Sequence, residues 1–317
     1  MLRRTSALIA VSLLLLPGYS FSALAASEEA FFAEREAVLA WPEDPTANSE
    51  RQLLDSVLAI FRNTKVNRRS DEPFARRAGR VTRLAKAIPE FWPARGNAIV
   101  PTAPLLTLHA AVAAALSSLG GMEADDARAL AFTAQRAVIE DLGLSWEAYA
   151  SFLKEKLPGL TLPSDADVSR ASRAALALTT IDYGYDIPYL GGYARDSARR
   201  IYFDRDLPKQ FIGKGDKPAP IAPYLNLHEI TEKALLMELR LPKWDYRRCH
   251  QVAQRLEQAA VKADGHSWVK YQDDFFGSQD AVADKEPKRV PADFDLTPYE
   301  DMKDHELIKQ LKAAMPR

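Results

Sequence analysis

Apolar residues recur every three or four positions along most of the chain, a spacing that predicts helices more than strands. Leu53, Leu54, Val57, Leu58 and Phe61 form one such stripe, with Asn48 or Ser49 as its cap. An earlier helix is expected from Ser27 to Trp41, closed by Pro42. Phe74, Ala78, Val81, Leu84, Ala85 and Ile88 carry the same spacing through the basic stretch 62–86, so a helix is expected there too. Ser164 caps another over "SDADVSRASRAALALTT". Alternation with a period of two occurs in Tyr189 to Ala194 and Arg200 to Asp204. Both runs are aromatic-rich and Arg195-Asp196-Ser197 lies between them, so they predict a β-hairpin. Residues 213–223 and the stretch from Tyr271 to about Tyr299 look like loops, and a last short helix is expected from about Asp301 to Ala313.

Two segments share one pattern. Residues 103–149 and 222–271 each open with Pro, an apolar pair and Leu-His. Each continues as helix, turn, helix and Gly, then Ser-Trp-x-x-Tyr. The pattern reads as an internal duplication of a helical hairpin, with Ser145 and Ser267 each capping a short following helix. The expected fold is therefore mainly α with a small β-hairpin (α+β), the second helical hairpin following the β-hairpin. The expected organisation is a signal peptide over 1–25, a helical domain over 26–160 and a second domain over 161–317.

The N-terminus changes the compartment. "MLRRTSALIAVSLLLLPGYSFSALAAS" has a positive start at Arg3 and Arg4, an apolar core over Leu8 to Leu16 and a small-x-small site at Ala23-Leu24-Ala25. This is the architecture of a cleavable Sec-type signal with the cut before Ala26, so the expected location is periplasmic or secreted. The apolar run is too short for a membrane span. Cys249 is the single cysteine, so no internal disulfide staples the chain. Its 317 residues, 47% apolar and 27% charged with a net charge of −1, give no bulk attraction to nucleic acid. The stretch 62–86 is the exception. Arg62, Lys65, Arg68, Arg69, Arg76, Arg77, Arg80, Arg83 and Lys86 stand against only Asp71 and Glu72. It is either a solvated face or a patch for an anionic cell-envelope polymer or lipid headgroup.

Candidate chemistry concentrates in "YLNLHEITEKALLMEL", residues 224–239. On its helix, His228 and Glu232 interrupt the stripe of Leu225, Leu235 and Leu239, whereas Asn226, Glu229, Lys233 and Arg240 form a polar face. On the next helix, His250 and Glu257 interrupt the stripe of Tyr246, Cys249, Ala253, Leu256 and Ala260. An antiparallel hairpin pairs positions whose numbers sum to about 485, which sets His228 level with Glu257 and Glu232 within a turn of His250. Burying such groups unpaired costs roughly 2–7 kcal/mol each even when neutral, so they need one another, a cation or water. The first segment has Ala110, Ala113, Arg128 and Gln135 where the second has Glu229, Glu232, His250 and Glu257, and keeps only the histidine, as His109. That contrast favours a site in the second hairpin. "GKGDK" at 213–217 lacks the spacing of a phosphate loop, and no Gly-x-Ser-x-Gly element supports a serine hydrolase.

The strand "RRIYFD", the helix "HEITE" and a following helix with His250 and Glu257 resemble the gluzincin branch of the zincin metallopeptidases, over about residues 187–263. Glu232 stands where that family has its second histidine. The resemblance implies a metal-dependent hydrolase, acting on peptide or a cell-envelope substrate, with zinc as the divalent ion. His228 and Glu232 would be ligands, Glu257 or His250 the third, and Glu229 the general base. Tyr189, Tyr193 or Tyr202 would face the developing oxyanion. The residues alone also fit a non-catalytic binding or scaffold protein. There His228 with Glu257 and Glu232 with His250 are buried ion pairs, and Glu229 with Lys233 is a solvent-facing pair.

Overall fold

Helices dominate the computed structural model, which describes residues 45–94, 99–240, 246–283 and 285–316. The expected signal peptide and the helix expected from Ser27 to Trp41 lie outside the described residues. Helix α1 (Pro45–Arg62) begins ahead of Asn48 and Ser49. It buries Leu53, Leu54, Val57 and Leu58 as the stripe requires. Then come α2 (Thr102–Ser117), α3 (Ala124–Asp141), α4 (Trp146–Lys156), α5 (Asp165–Ala177), α6 (Ala222–Leu239), α7 (Tyr246–Ala263) and α8 (Trp268–Ala283). Two short helices, α9 (Thr297–Asp301) and α10 (His305–Ala314), follow. Ser164 caps α5 in a capping box with Asp167, and Ser145 caps α4. Among the described residues, no helix is long and apolar enough to cross a membrane.

The strands form small sheets. In the basic segment the expected helix gives way to β1 (Lys65–Arg69), β2 (Ala75–Ala78) and β3 (Val81–Ala85), ordered β1-β3-β2. Gly79 takes a left-handed φ of 58° at the β2–β3 turn, which interrupts any helical run. Thr82 and Leu84 then face inward by strand alternation, and Phe74 and Ile88 are buried from the flanking turns. A two-stranded ribbon, β4 (Phe91–Pro93) with β5 (Ile99–Pro101), leads into α2. The expected β-hairpin is present as β7 (Gly191–Ala194) and β8 (Ser197–Asp204), antiparallel. β6 (Thr180–Tyr185) adds to it parallel to β8, giving the order β6-β8-β7 with β7 at the edge. β10 (Pro218–Pro220) lies within the expected 213–223 loop and pairs with β9 (Gln210–Ile212) just before it.

The expected loop after Tyr271 is corrected as well. α8 continues to Ala283, anchored by Tyr271 in the core and by Trp268 and Phe275 packed against it. One hydrophobic core holds Leu54 and Leu58 of α1, Leu105 and Leu108 of α2, Leu130 and Val138 of α3, Leu227 and Ile230 of α6, and Val252 and Leu256 of α7. A smaller core around Ile187, Tyr202, Phe294 and Tyr299 lies under the C-terminal helices. Both like-patterned segments fold as a packed helix pair followed by a serine-initiated helix, α2–α3–α4 and α6–α7–α8.

His109 is a core histidine, as its lone apolar setting suggests. Its ring lies edge-on to Phe74 at 4.7 Å and tilted to Phe132 at 4.4 Å. Burial, with a smaller push from Arg128, depresses its pKa to about 3 against a hydrogen bond with the Ala131 backbone. The folded state thus refuses a proton that the unfolded chain accepts below its ordinary value of 6.5. Stability from this group is full above that value and falls as pH drops toward about 3, at about 1.4 kcal/mol per pH unit. His109→Phe should therefore show a shallower loss of stability than the parent between pH 6 and pH 4, by roughly one proton's slope. Denaturant titrations across that range with parallel slopes would refute the assignment.

Candidate metal centre

α6 is buried on nearly every face from Tyr224 to Leu235. It packs against α7, α2 and α5, and against strands β7 and β8. A helix enclosed this way has no solvent side to which a charged residue can turn. Its ionisable residues must therefore find partners inside the protein.

On the face toward α7, the donor atoms converge as the hairpin register predicts. The turn, at 241–245, lies outside the described residues. His228 Nε2 lies 3.0 Å from His250 Nδ1, His250 Nδ1 lies 2.9 Å from Glu232 Oε2, and His228 Nε2 lies 3.4 Å from Glu232 Oε2. Ligand atoms of these three residues all lie within 4.8 Å of one another, and no other group among the described residues meets that condition. A tetrahedral zinc site with bonds near 2.1 Å separates its ligands by about 3.4 Å. The triangle is therefore close to the size such an ion needs. Two imidazoles and a carboxylate also suit its preference for nitrogen and oxygen donors.

Glu257 is placed differently. Its Oε2 lies 2.9 Å from Nδ1 of His228, the ring nitrogen opposite the one in the triangle. Its other oxygen accepts from Tyr271 Oη at 2.6 Å. Glu257 thus orients the His228 ring and leaves His250 as the third member of the converging set. Tyr193 Oη donates to Glu232 Oε1 at 2.7 Å and fixes that carboxylate from the other side. Burial opposes charge on His228, but the hydrogen bonds with Glu232 and Glu257 outweigh it and hold its pKa well above the ordinary value. Burial likewise raises Glu232, but its bonds to His228 and His250 prevail and bring it down to about 2.

The neighbouring face of α6, one residue round the helix, differs from the expectation. Glu229 and Lys233 are not a solvent pair, being 8% and 5% exposed. Lys233 Nζ donates to the carboxylate of Asp295 and, at 2.7 Å, to the carbonyl of Arg195. It also lies 5.1 Å above the Tyr193 ring. Glu229 has no hydrogen-bond partner among the described residues. Burial raises its pKa to about 8, the charge of His228 opposing this and Glu232 and Glu257 adding to it. It fits because β7 brings glycine alongside: a Cβ on Gly191 would stand 2.4 Å from Glu229 Oε1.

Glu229, His228, Glu232, His250 and Glu257 all line one cavity of about 240 Å³. Aromatic side chains, among them Tyr246, Trp268, Phe275 and Tyr299, make up much of its wall. The three tyrosines expected near the reaction separate. Tyr189 lines the cavity, half-exposed and stacked on Tyr299 at 6.0 Å. Tyr193 lines it too, with its hydroxyl engaged by Glu232. Tyr202 is not among the lining residues; its hydroxyl donates to Asp293 at 2.6 Å. The sequence reading missed Tyr246, whose hydroxyl is 3.4 Å from His250 Nδ1. Its place one turn before His250 on the same stripe was the available signal. It also missed Tyr271 as the partner of Glu257. Cys249 is buried in the core, and His266 and His305 stand apart from the cavity.

The two neighbouring glycines of β7 make a contrast that can be measured. At Gly191 the added methyl meets the movable end of Glu229, whereas at Gly192 it would stand 2.6 Å from the buried Phe294 ring. Gly192→Ala should cost about 1–3 kcal/mol by overpacking. Gly191→Ala should cost less than about 1 kcal/mol, since the Glu229 carboxylate can move into the cavity. Chemical denaturation that ranks the two variants the other way would contradict this packing.

No family model matches the chain, and no curated protein or solved structure matches it.

Proposed function

We propose that the chain is an exported metal-dependent hydrolase acting on peptide, with the HExxE helix α6 as its metal-binding element. One observation carries this reading: His228, Glu232 and His250 converge beside an unpartnered, buried carboxylate in an aromatic cavity. In this reading His228 Nε2, His250 Nδ1 and Glu232 Oε2 hold the ion. Glu257 and Tyr271 orient His228 through its other nitrogen, and Tyr193 holds Glu232. A bound divalent ion supplies a Lewis acid for the scissile carbonyl and for water.

Glu229 is the carboxylate left to move a proton. It accepts one from the attacking water and returns it to the departing amine. Its burial-raised pKa lies near the working range of a general base. Tyr246, close to His250, and Tyr189, at the cavity rim, are the hydroxyls available to the developing oxyanion. The cavity has room for one side-chain-sized group. No Lys or Arg lines it among the described residues, so apart from the ion an anionic substrate group would find no lysine or arginine to pair with. An apolar or aromatic side chain of a peptide meets matching walls.

A second reading rests on a specific observation. Each of His228, Glu232, His250 and Glu257 already has a protein partner within 3.0 Å. A metal-free scaffold whose polar cluster satisfies itself would look the same.

Metal content separates the two. On the hydrolase reading, purified protein carries about one equivalent of zinc or another divalent ion. Chelation lowers its Tm, because an ion bound only by the folded state stabilises that state. Glu232→Ala loses the ion, while Glu229→Gln keeps it and abolishes peptide hydrolysis. Elemental analysis finding no ion, together with no uptake of zinc at micromolar concentration and no response to chelator, would decide for the scaffold.

A further inference from the structure

The basic segment plays no part in the cavity, yet the fold gathers its charges on one surface. β3 is the central strand of its sheet, and its register fixes what lies side by side. Arg83 is opposite Asn67 of β1 on one side and opposite Arg76 of β2 on the other. In the next row Val81 pairs with Lys65 and Ala78. By strand alternation Lys65, Asn67, Arg69, Arg76 and Arg83 share the outer face. Arg80 at the β2–β3 turn and Lys86 after β3 are exposed at its ends.

The inner basic residues are used by the fold itself. Arg68 donates to the carbonyl of Ile88 and to Thr102, and Arg77 donates to Thr64 and Glu238. The outer ones are poorly neutralised. Asp71 pairs with Arg69 at 2.7 Å, and Glu72 approaches Arg76 at 3.4 Å. Among the described residues, Lys65, Arg80, Arg83 and Lys86 form no salt bridge. Arg76 and Arg83, directly opposed across an antiparallel pair, repel each other. An anion laid over the pair would relieve this repulsion.

We propose that this outer sheet face docks on a surface of anionic phospholipid headgroups. Charge complementarity identifies the partner class, and the shape of the face narrows it. A small sheet sets its guanidinium and ammonium groups in one plane, as a bilayer sets its phosphates. Clusters of about four to eight Lys and Arg give such recognition. The face carries no aromatic side chain on which a nucleic-acid base could stack. The proposal is independent of the metal reading, since none of these residues lines the cavity.

Co-sedimentation of the full chain with vesicles tests it. Vesicles of phosphatidylcholine with phosphatidylglycerol should bind the protein, and pure phosphatidylcholine vesicles should not. Added salt should release it, because exposed charges are screened. Arg76→Gln/Arg83→Gln should weaken the partition by about tenfold or more. The same variant should stay folded with a Tm close to the parent's, since relief of the like-charge pair offsets loss of the Glu72–Arg76 contact. Lys154→Glu/Lys262→Glu, which changes exposed lysines on other elements by a larger charge, should bind better than the sheet variant. Equal binding to neutral vesicles, unchanged binding by the sheet variant, or equal loss in the control pair would overturn the proposal. So would binding to short duplex DNA without binding to the anionic vesicles.

Discussion

Ionisable side chains buried on two faces of one enclosed helix govern how the C-terminal part of this protein is built. α6 carries His228 and Glu232 toward α7, and Glu229 and Lys233 toward β7. Removing a charge from water without a partner is far more costly than burying a neutral polar group. The first face is answered within the hairpin, by His250 and Glu257. The second is answered by distant segments: the Arg195 carbonyl in the β-hairpin turn and Asp295 near the C-terminus both accept from Lys233. The Asp295 N–H in turn donates to the Tyr193 carbonyl, and Phe294 bridges to Ala194. The last part of the chain is thus tied to the edge strand that borders the cavity.

The two like-patterned hairpins show which part of this arrangement packing alone accounts for. In the first, Gln135 Nε2 donates to Tyr149 Oη at 3.1 Å; in the second, Tyr271 Oη donates to Glu257 at 2.6 Å. Both bonds span fourteen residues, from the second helix to the Ser-Trp-x-x-Tyr helix. A neutral amide serves the first hairpin, so a carboxylate is not needed to join these elements. In the second hairpin the carboxylate's added consequence is electrostatic: it holds a proton on Nδ1 of His228 and so presents Nε2 to Glu232 and His250. His109, by contrast, faces two aromatic rings and is held neutral.

What the sequence made legible was local or set by helix register. The meeting of His228 with Glu257, and of Glu232 with His250, follows from the antiparallel pairing of two helices whose polar residues interrupt apolar stripes. The β7–β8 hairpin follows from alternation around Arg195-Asp196-Ser197. What stayed hidden depended on distant parts of the chain. The face of Glu229 and Lys233 reads as solvated until Asp295, some sixty residues later, covers it. α8 reads as a loop because Asp273, Asp274, Gly277 and Ser278 are weak helix formers; Trp268, Tyr271 and Phe275, packed one above another on the core side, hold it. Residues 62–86 deceived for another reason. Apolar positions in two short strands and the turns beside them fell at intervals of three and four, and one left-handed glycine separates that pattern from a helix.

The cavity wall bears on the proposed metal centre through Glu229 rather than through the converging set itself. Tyr189 and Leu190, beside the cavity, adopt left-handed φ of 60° and 71°. Such values cost non-glycine residues of order 1–3 kcal/mol each. Gly191, next in the chain, makes room for the Glu229 carboxylate. A strained turn and a missing side chain thus converge on a carboxylate that makes no hydrogen bond among the described residues. A polar cluster serving only to hold a hairpin would be expected to satisfy each member, because a half-satisfied buried network destabilises more than an apolar core. The His228, Glu232, His250 and Glu257 set meets that expectation. Glu229 stands apart from that set: it faces the cavity, and it is the residue beside Gly191 of β7. On the hydrolase reading, this cavity-lining carboxylate is the group left free to meet a ligand.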